Sequence, residues 1–303
     1  MAKHIDFEVV ALSDYQLGEV AKLCGLLTVT LPEKRFELGV DFTPATTPAK
    51  VKLYKGARGS RIYGQDLPSL AEGKMVQLDP QCRRKVSWKT WDESRLEAWL
   101  DSLYEFFAGS MFVGLPPELL AVDLYGWHEP DNKDDINADG KVDAVDAAVW
   151  RQRMERVVAL TADHPHVRYV GPNLTTWYLK NGGDPLVYWV DGFSVFTCDR
   201  YAHLGNPTAT TWPTPEEMFG RIGDVAYNLG VVAQVPEWGD AGGKPGDAAR
   251  MPSTVRAQWI RDCIRYFYDN DELFVSAAWW DIGADQLGGE ELVTMLTALQ
   301  VQQ

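Results

Sequence analysis

Two glutamates stand out by where they fall. One apolar run closes on Tyr125-Gly126-Trp127-His128-Glu129-Pro130, and another on Gln234-Val235-Pro236-Glu237-Trp238-Gly239-Asp240. In each, the run leads into a carboxylate flanked by an aromatic residue and by proline or glycine. Hydrolysis of a glycosidic bond with retention requires two carboxyl groups about 5–5.5 Å apart. One protonates the leaving oxygen and the other attacks the anomeric carbon. Glutamates at the ends of two non-adjacent strands can face each other across a barrel mouth at that range, whereas two on one strand cannot flank a sugar bond. Taken alone, either glutamate is equally compatible with a solvated loop acid, since the chain carries 43 Asp+Glu.

A second pattern follows the first glutamate. Counting Asp135 as position one, oxygen-bearing side chains fall at Asp135, Asn137, Asp139, Asp143 and Asp146, which are positions 1, 3, 5, 9 and 12. Gly140 occupies position 6 and the Lys141 carbonyl is available at position 7. This is the ligand schedule of an EF-hand loop: glycine for the sharp turn, hard oxygen donors for Ca²⁺. Position 12 holds Asp rather than the usual Glu, and no leading helix precedes the loop. We expect a single structural calcium loop inserted after the fourth strand, with an acidic solvated turn as the alternative.

The elements that must position these groups are short apolar runs alternating with helical periodicities. Eight strands are predicted: Phe36–Phe42, Ser60–Tyr63, Lys85–Lys89, Ala121–Trp127, Val167–Val170, Gly192–Phe196, Gly230–Val235 and Leu273–Trp280. Runs apolar throughout belong to a parallel sheet covered on both faces. Helices are predicted over Asp92–Phe107, Ala144–Leu160, Pro215–Leu229, Pro252–Asp269 and Gly289–Gln300. Thr214 is an N-cap ahead of Pro215. The most economical account is an α/β fold, a (β/α)8 TIM barrel over residues 36–303, with residues 1–35 as an N-terminal extension packed on it. Trp279 and Trp280 end the last strand and alternate faces, so one of them belongs to the helix layer.

Composition narrows the chemistry further. The formal charge of −14, with Arg83-Arg84-Lys85 as the longest basic run, excludes nucleic acid as a partner. No apolar stretch approaches the ~18–20 residues of a membrane span. Met1-Ala2-Lys3-His4-Ile5-Asp6 reaches an acid before any apolar region, so no secretory signal is expected and the chain is read as cytoplasmic when synthesised. The four cysteines, Cys24, Cys82, Cys198 and Cys263, lie far apart and read as reduced, buried thiols. Twelve Trp, 12 Tyr and 11 Phe in an acidic chain suit either a large aromatic core or a sugar cleft.

The order of glutamate at strand four, glutamate at strand seven and Trp-Trp at strand eight resembles the clan of retaining (β/α)8 glycosidases. His128 before the first glutamate is similar to family 26 glycoside hydrolases, the β-mannanase group, and to related actinobacterial and phage-tail proteins. The resemblance runs from about Lys85 to Gly283. It is carried by Val86-Ser87-Trp88-Lys89, Trp127-His128-Glu129-Pro130, Cys198-Asp199-Arg200-Tyr201, Pro236-Glu237-Trp238-Gly239 and Ala278-Trp279-Trp280-Asp281. It implies Glu129 as general acid/base, Glu237 as nucleophile and Tyr201 as a hydrogen-bond donor to the nucleophile. By the same resemblance His128, Lys89, Trp127, Trp238 and Trp279 or Trp280 contact the sugar. The implied partner is a β-linked polysaccharide or cell-surface glycan, cut internally. The alternative is a non-catalytic glycan-binding or structural barrel of a phage tail tip, virion-associated and contacting other tail proteins.

Overall fold

The computed structural model describes residues 36–40, 61–63, 77–79, 94, 98, 101, 122–125, 129–133, 144–162, 167–202, 212–240, 253–280 and 287–301. Nine strands are present among them: β1 (Glu37–Val40), β2 (Arg61–Tyr63), β3 (Gln77–Asp79), β4 (Val122–Tyr125), β5 (Val167–Leu174), β6 (Val195–Cys198), β7 (Arg200–Tyr201), β8 (Val232–Gly239) and β9 (Phe274–Trp279). The helices are α1 (Pro130–Lys133), α2 (Ala144–Thr161), α3 (Thr176–Lys180), α4 (Pro215–Leu229), α5 (Ser253–Asp269) and α6 (Gly289–Val301), with a 3₁₀ turn over Pro185–Tyr188.

All described pairings are parallel, and the sheet runs β1-β9-β8-β6-β5-β4-β3-β2, with β7 extending the β6 side of β8. From β2 to β6, and again from β8 to β9, successive strands lie side by side, β6 lies beside β8, and β1 pairs with β9. That is the strand order of a TIM barrel. Right-handed helical crossovers are what make parallel neighbours possible, since a parallel pair cannot be joined by a tight turn.

Most predicted elements recur with shifted ends. The exception is the third strand. Its place between β2 and β4 is taken by Gln77–Asp79, while Lys85–Lys89, which includes Lys89, lies outside the described residues. Gln77-Leu78-Asp79 is too short and polar to register as an apolar run. The sixth strand starts at Val195 rather than Gly192, because Gly192 turns the chain at φ 106°. The predicted N-terminal extension, residues 1–35, also falls outside the described residues.

The helix layer is an aromatic core. Phe219 of α4 and Phe267 of α5 sit 4.5 Å apart between ring centroids, and Phe267 stacks on Phe36 at 5.0 Å. Helix α4 shows how locally the chain encodes such a piece. Thr214 and Glu217 form a reciprocal capping box, and Gly230 ends the helix at φ 69°. Between them Met218, Phe219, Ile222, Val225 and Ala226 bury one face. Replacing Thr214 by alanine removes the acceptor for the Glu217 N–H. We expect a loss of about 1 kcal/mol, read as a melting temperature lower by roughly 2–4 °C, with Thr214→Ser near wild type. Cys198 and Cys263 are free and buried, and burial pushes both thiols well above their ordinary range.

Candidate active site

The barrel interior is stacked in layers. Val170, Val195, Val232 and Val275, from β5, β6, β8 and β9, pack together apart from the main core. Two residues beyond Val195 and Val232, Thr197 pairs with Gln234, and Gln234 pairs with Ser276 of β9, the residue after Val275. All three are buried polar residues. Strand alternation puts Thr197 and Gln234 on the same inner face as Val195 and Val232. An apolar layer thus gives way to a polar one toward the carboxyl ends of the strands, the end where such barrels hold their sites.

Glu237 reaches this face through an irregularity. Gln234 pairs with Ser276 and Trp238 with Trp279; on the other side Thr197 pairs with Gln234 and Arg200 with Trp238. Relative to both neighbours, β8 carries one extra residue between Gln234 and Trp238. A regular strand would put Gln234 and Glu237 on opposite faces. The bulge puts both inward and lets Val235 and Trp238 share the outer core.

Glu237 is fully buried, and the Tyr201 hydroxyl donates a 2.7 Å hydrogen bond to its Oε2. Tyr201 is itself fixed from several directions. Its backbone N–H donates to Thr176 Oγ1 at 3.0 Å, and the next N–H, of Ala202, donates to the Gly239 carbonyl at 3.0 Å. The guanidinium of Arg200 donates to the carbonyls of Met218 and Glu217 at 2.7 and 3.2 Å, tying β7 to the start of α4.

Glu129 follows β4 in a left-handed backbone conformation, φ 51°, and is 9% exposed. A glutamate in that region is strained by on the order of 1–3 kcal/mol, and such strain gathers where surrounding structure holds a functional group in place. The Glu129 N–H donates to the Asn173 carbonyl at 3.1 Å, and the Asn173 N–H donates to Thr197 Oγ1 at 2.7 Å. Asn173, also left-handed at φ 55°, thereby links the β4 end to β6. Both glutamates stand at the carboxyl end of the same parallel sheet, on its fourth and seventh positions.

The fold that carries them is similar to solved structures. The mannanase man26 of Bacillus subtilis superposes with a TM-score of 0.55 at 13% identity, covering 86% of this chain and 85% of that one. An endo-β-1,4-glucanase of Xanthomonas axonopodis pv. citri gives 0.58 at 13% identity, covering 88% and 99%. An endo-β-1,3-glucanase of Amycolatopsis mediterranei, in complex with laminaritriose, gives 0.50 at 12% identity, covering 86% and 99%. No protein-family model matches the sequence, and no curated protein sequence matches it. The fold is that of barrel glycoside hydrolases.

The tryptophans divide by face. Trp238 and Trp279 are fully buried and meet edge to face at 4.7 Å. Trp238 also packs on Phe219 and Phe267, and Trp279 on Trp259. Both therefore belong to the helix layer rather than to a cleft wall. Trp280 directly follows β9 and is only partly buried, and its backbone N–H donates to the Trp238 carbonyl at 3.0 Å. Trp127, His128 and Lys89 lie outside the described residues, as do Asp135, Asn137, Asp139, Lys141 and Asp143. Asp146, the remaining expected calcium ligand, is buried in the first turn of α2.

Two further groups brace the rim. Arg256 of α5 is fully buried, with ion pairs to Asp240 at 2.6 Å and Glu291 at 2.9 Å and its guanidinium 5.3 Å from the Trp279 ring centre. Its spacing places it on the apolar face of α5, one turn before Trp259 and Ile260 and two turns before Cys263. Asp131 of α1 accepts hydrogen bonds from both the N–H and the hydroxyl of Thr175, the N-cap of α3. Nothing in the spacing of Asp131 marks that contact, which joins two loops distant in the chain.

Proposed function

We propose that this chain is a retaining glycoside hydrolase that cuts a β-linked polysaccharide internally, with Glu237 as nucleophile and Glu129 as general acid/base. The observation that carries the reading is the buried Glu237 carboxylate held by the Tyr201 hydroxyl at the inner end of β8. A donor at a carboxylate oxygen favours the ionised form and fixes its direction, both of which a nucleophile needs. In the first step Glu237 attacks the anomeric carbon while Glu129 gives its proton to the departing glycosidic oxygen. In the second, Glu129 takes a proton from water, which attacks the anomeric carbon and frees Glu237. Trp280 is the aromatic floor we assign to the sugar at the cleavage point.

The test is hydrolysis of a panel of β-mannans, β-1,4- and β-1,3-glucans and mycobacterial-type arabinogalactans, with the configuration of the first-formed product read by NMR. A retained product supports the mechanism. An inverted product overturns it. Binding to a glycan without cleavage would favour a non-catalytic barrel, as in a phage tail tip.

We also propose that residues 135–146 form a structural calcium loop, with Asp146 closing it from helix α2. The ion would supply no chemistry; it would hold the segment between Glu129 and α2. Chelation with EGTA is expected to lower the melting temperature by roughly 5–10 °C, restored by added Ca²⁺. An unchanged melting curve overturns this assignment.

A further inference from the structure

The general acid of a retaining glycosidase must present its proton to one oxygen, so its backbone has to be held as firmly as its side chain. Glu129 has an awkward backbone to hold: left-handed, non-glycine and immediately before the short helix α1. Its own N–H is tied to Asn173, which fixes one side. The other side is fixed two residues on. Asp131 Oδ1 accepts the Thr175 N–H at 2.9 Å and Asp131 Oδ2 accepts the Thr175 hydroxyl. The same hydroxyl accepts the Tyr178 N–H at 3.2 Å and so caps α3. Glu129 and Asp131, after β4 and in α1, are thus each cross-linked to the segment that ends β5 and caps α3, at Asn173 and Thr175.

We infer that Asp131 and Thr175 form a latch that positions the Glu129 carboxyl for proton donation. The inference rests on the assignment of Glu129 as general acid. Releasing the latch lets the loop relax toward ordinary backbone angles and carries the carboxyl off the leaving oxygen, while Glu237, braced separately by Tyr201, stays in place. Asp131 and Thr175 touch no substrate; they are positioning residues.

This separates two kinds of substrate. An activated aryl glycoside, such as the dinitrophenyl glycoside of cellobiose or mannobiose, departs without protonation, so its kcat/KM reports attack by Glu237 alone. A polysaccharide or an alkyl glycoside needs the proton. For Asp131→Ala we expect kcat/KM on the unactivated substrate to fall roughly 30–100-fold, up to the lower end of the 10²–10⁴-fold that general acid catalysis typically contributes, since the carboxyl is displaced rather than removed. On the activated glycoside it should stay within about twofold. Thr175→Val should show the same split, and Thr175→Ser, which keeps the hydroxyl, should restore it. If both substrates fall together, or neither changes, the latch is structural only and the inference is overturned while the glycosidase assignment stands. If the wild-type protein cleaves neither class, the glycosidase assignment and the latch fall together.

Discussion

Substituting Glu237 by glutamine or alanine is expected to lower hydrolysis by a factor on the order of 10⁴–10⁶, the scale seen when an enzyme loses its nucleophile. Such a factor corresponds to about 5–8 kcal/mol of transition-state stabilisation. Stability should move little or rise, because Glu237 is a fully buried carboxylate whose removal relieves desolvation. The combination is diagnostic: a structural residue would lose stability first. Azide supplies a second check. In Glu237→Ala it should restore turnover of an activated aryl glycoside as the α-configured glycosyl azide, entering where the carboxylate stood. In Glu129→Ala the azide should attack the glycosyl-enzyme and give the β product. Restoration of the β product in the Glu237 variant would reverse the two roles. Tyr201→Phe, which removes only the 2.7 Å donor to Oε2, should show a smaller loss of the same kind.

The largest expected change in stability lies behind the cleft. Arg256→Met leaves Asp240 and Glu291 buried without their shared cation. Stranding buried charge in this way costs about 3–5 kcal/mol, or a melting temperature lower by roughly 6–15 °C. Adding Asp240→Asn and Glu291→Gln should recover much of the loss, because the penalty belongs to the buried carboxylates that lose Arg256 rather than to the missing guanidinium. Additive losses across the three positions would instead mean that each residue acts separately. Since Trp279 faces the guanidinium and Asp240 directly follows β8, three residues after Glu237, the folded fraction of Arg256→Met should also turn over more slowly.

What the chain disclosed on reading follows from physical range. Helix α4 was legible to the residue, because Thr214, Pro215, Glu217 and Gly230 are local signals. The strands β4 and β8 were legible as apolar runs, but not their ends: β8 runs on to Gly239 rather than stopping at Val235. The third strand was not, since Gln77-Leu78-Asp79 has no apolar run and is recognised only by its partners on both sides. Trp238 and Trp279 were read as cleft candidates, yet the bulge in β8 and the alternation of β9 turn them outward. A one-residue change of register is invisible in composition. The Asp131–Thr175 contact was illegible for a related reason: both residues look like ordinary loop and cap residues until two loops meet. The pair Glu129 and Glu237 was marked by chemistry at strand ends, and resemblance assigned their roles.

The pairing of β1 with β9, in which Glu37 lies opposite Ser276, bears on how the chain is made. During synthesis β1 emerges long before the strand that completes it. At typical ribosomal rates the wait is roughly 10–50 s. Through that interval Phe36, Leu38 and Val40, all almost fully buried in the finished protein, have no final partner on that side. Contacts of such long sequence separation also form slowly once both strands exist. A chain truncated before β9 would therefore leave this edge of β1 without the partner it has in the finished protein.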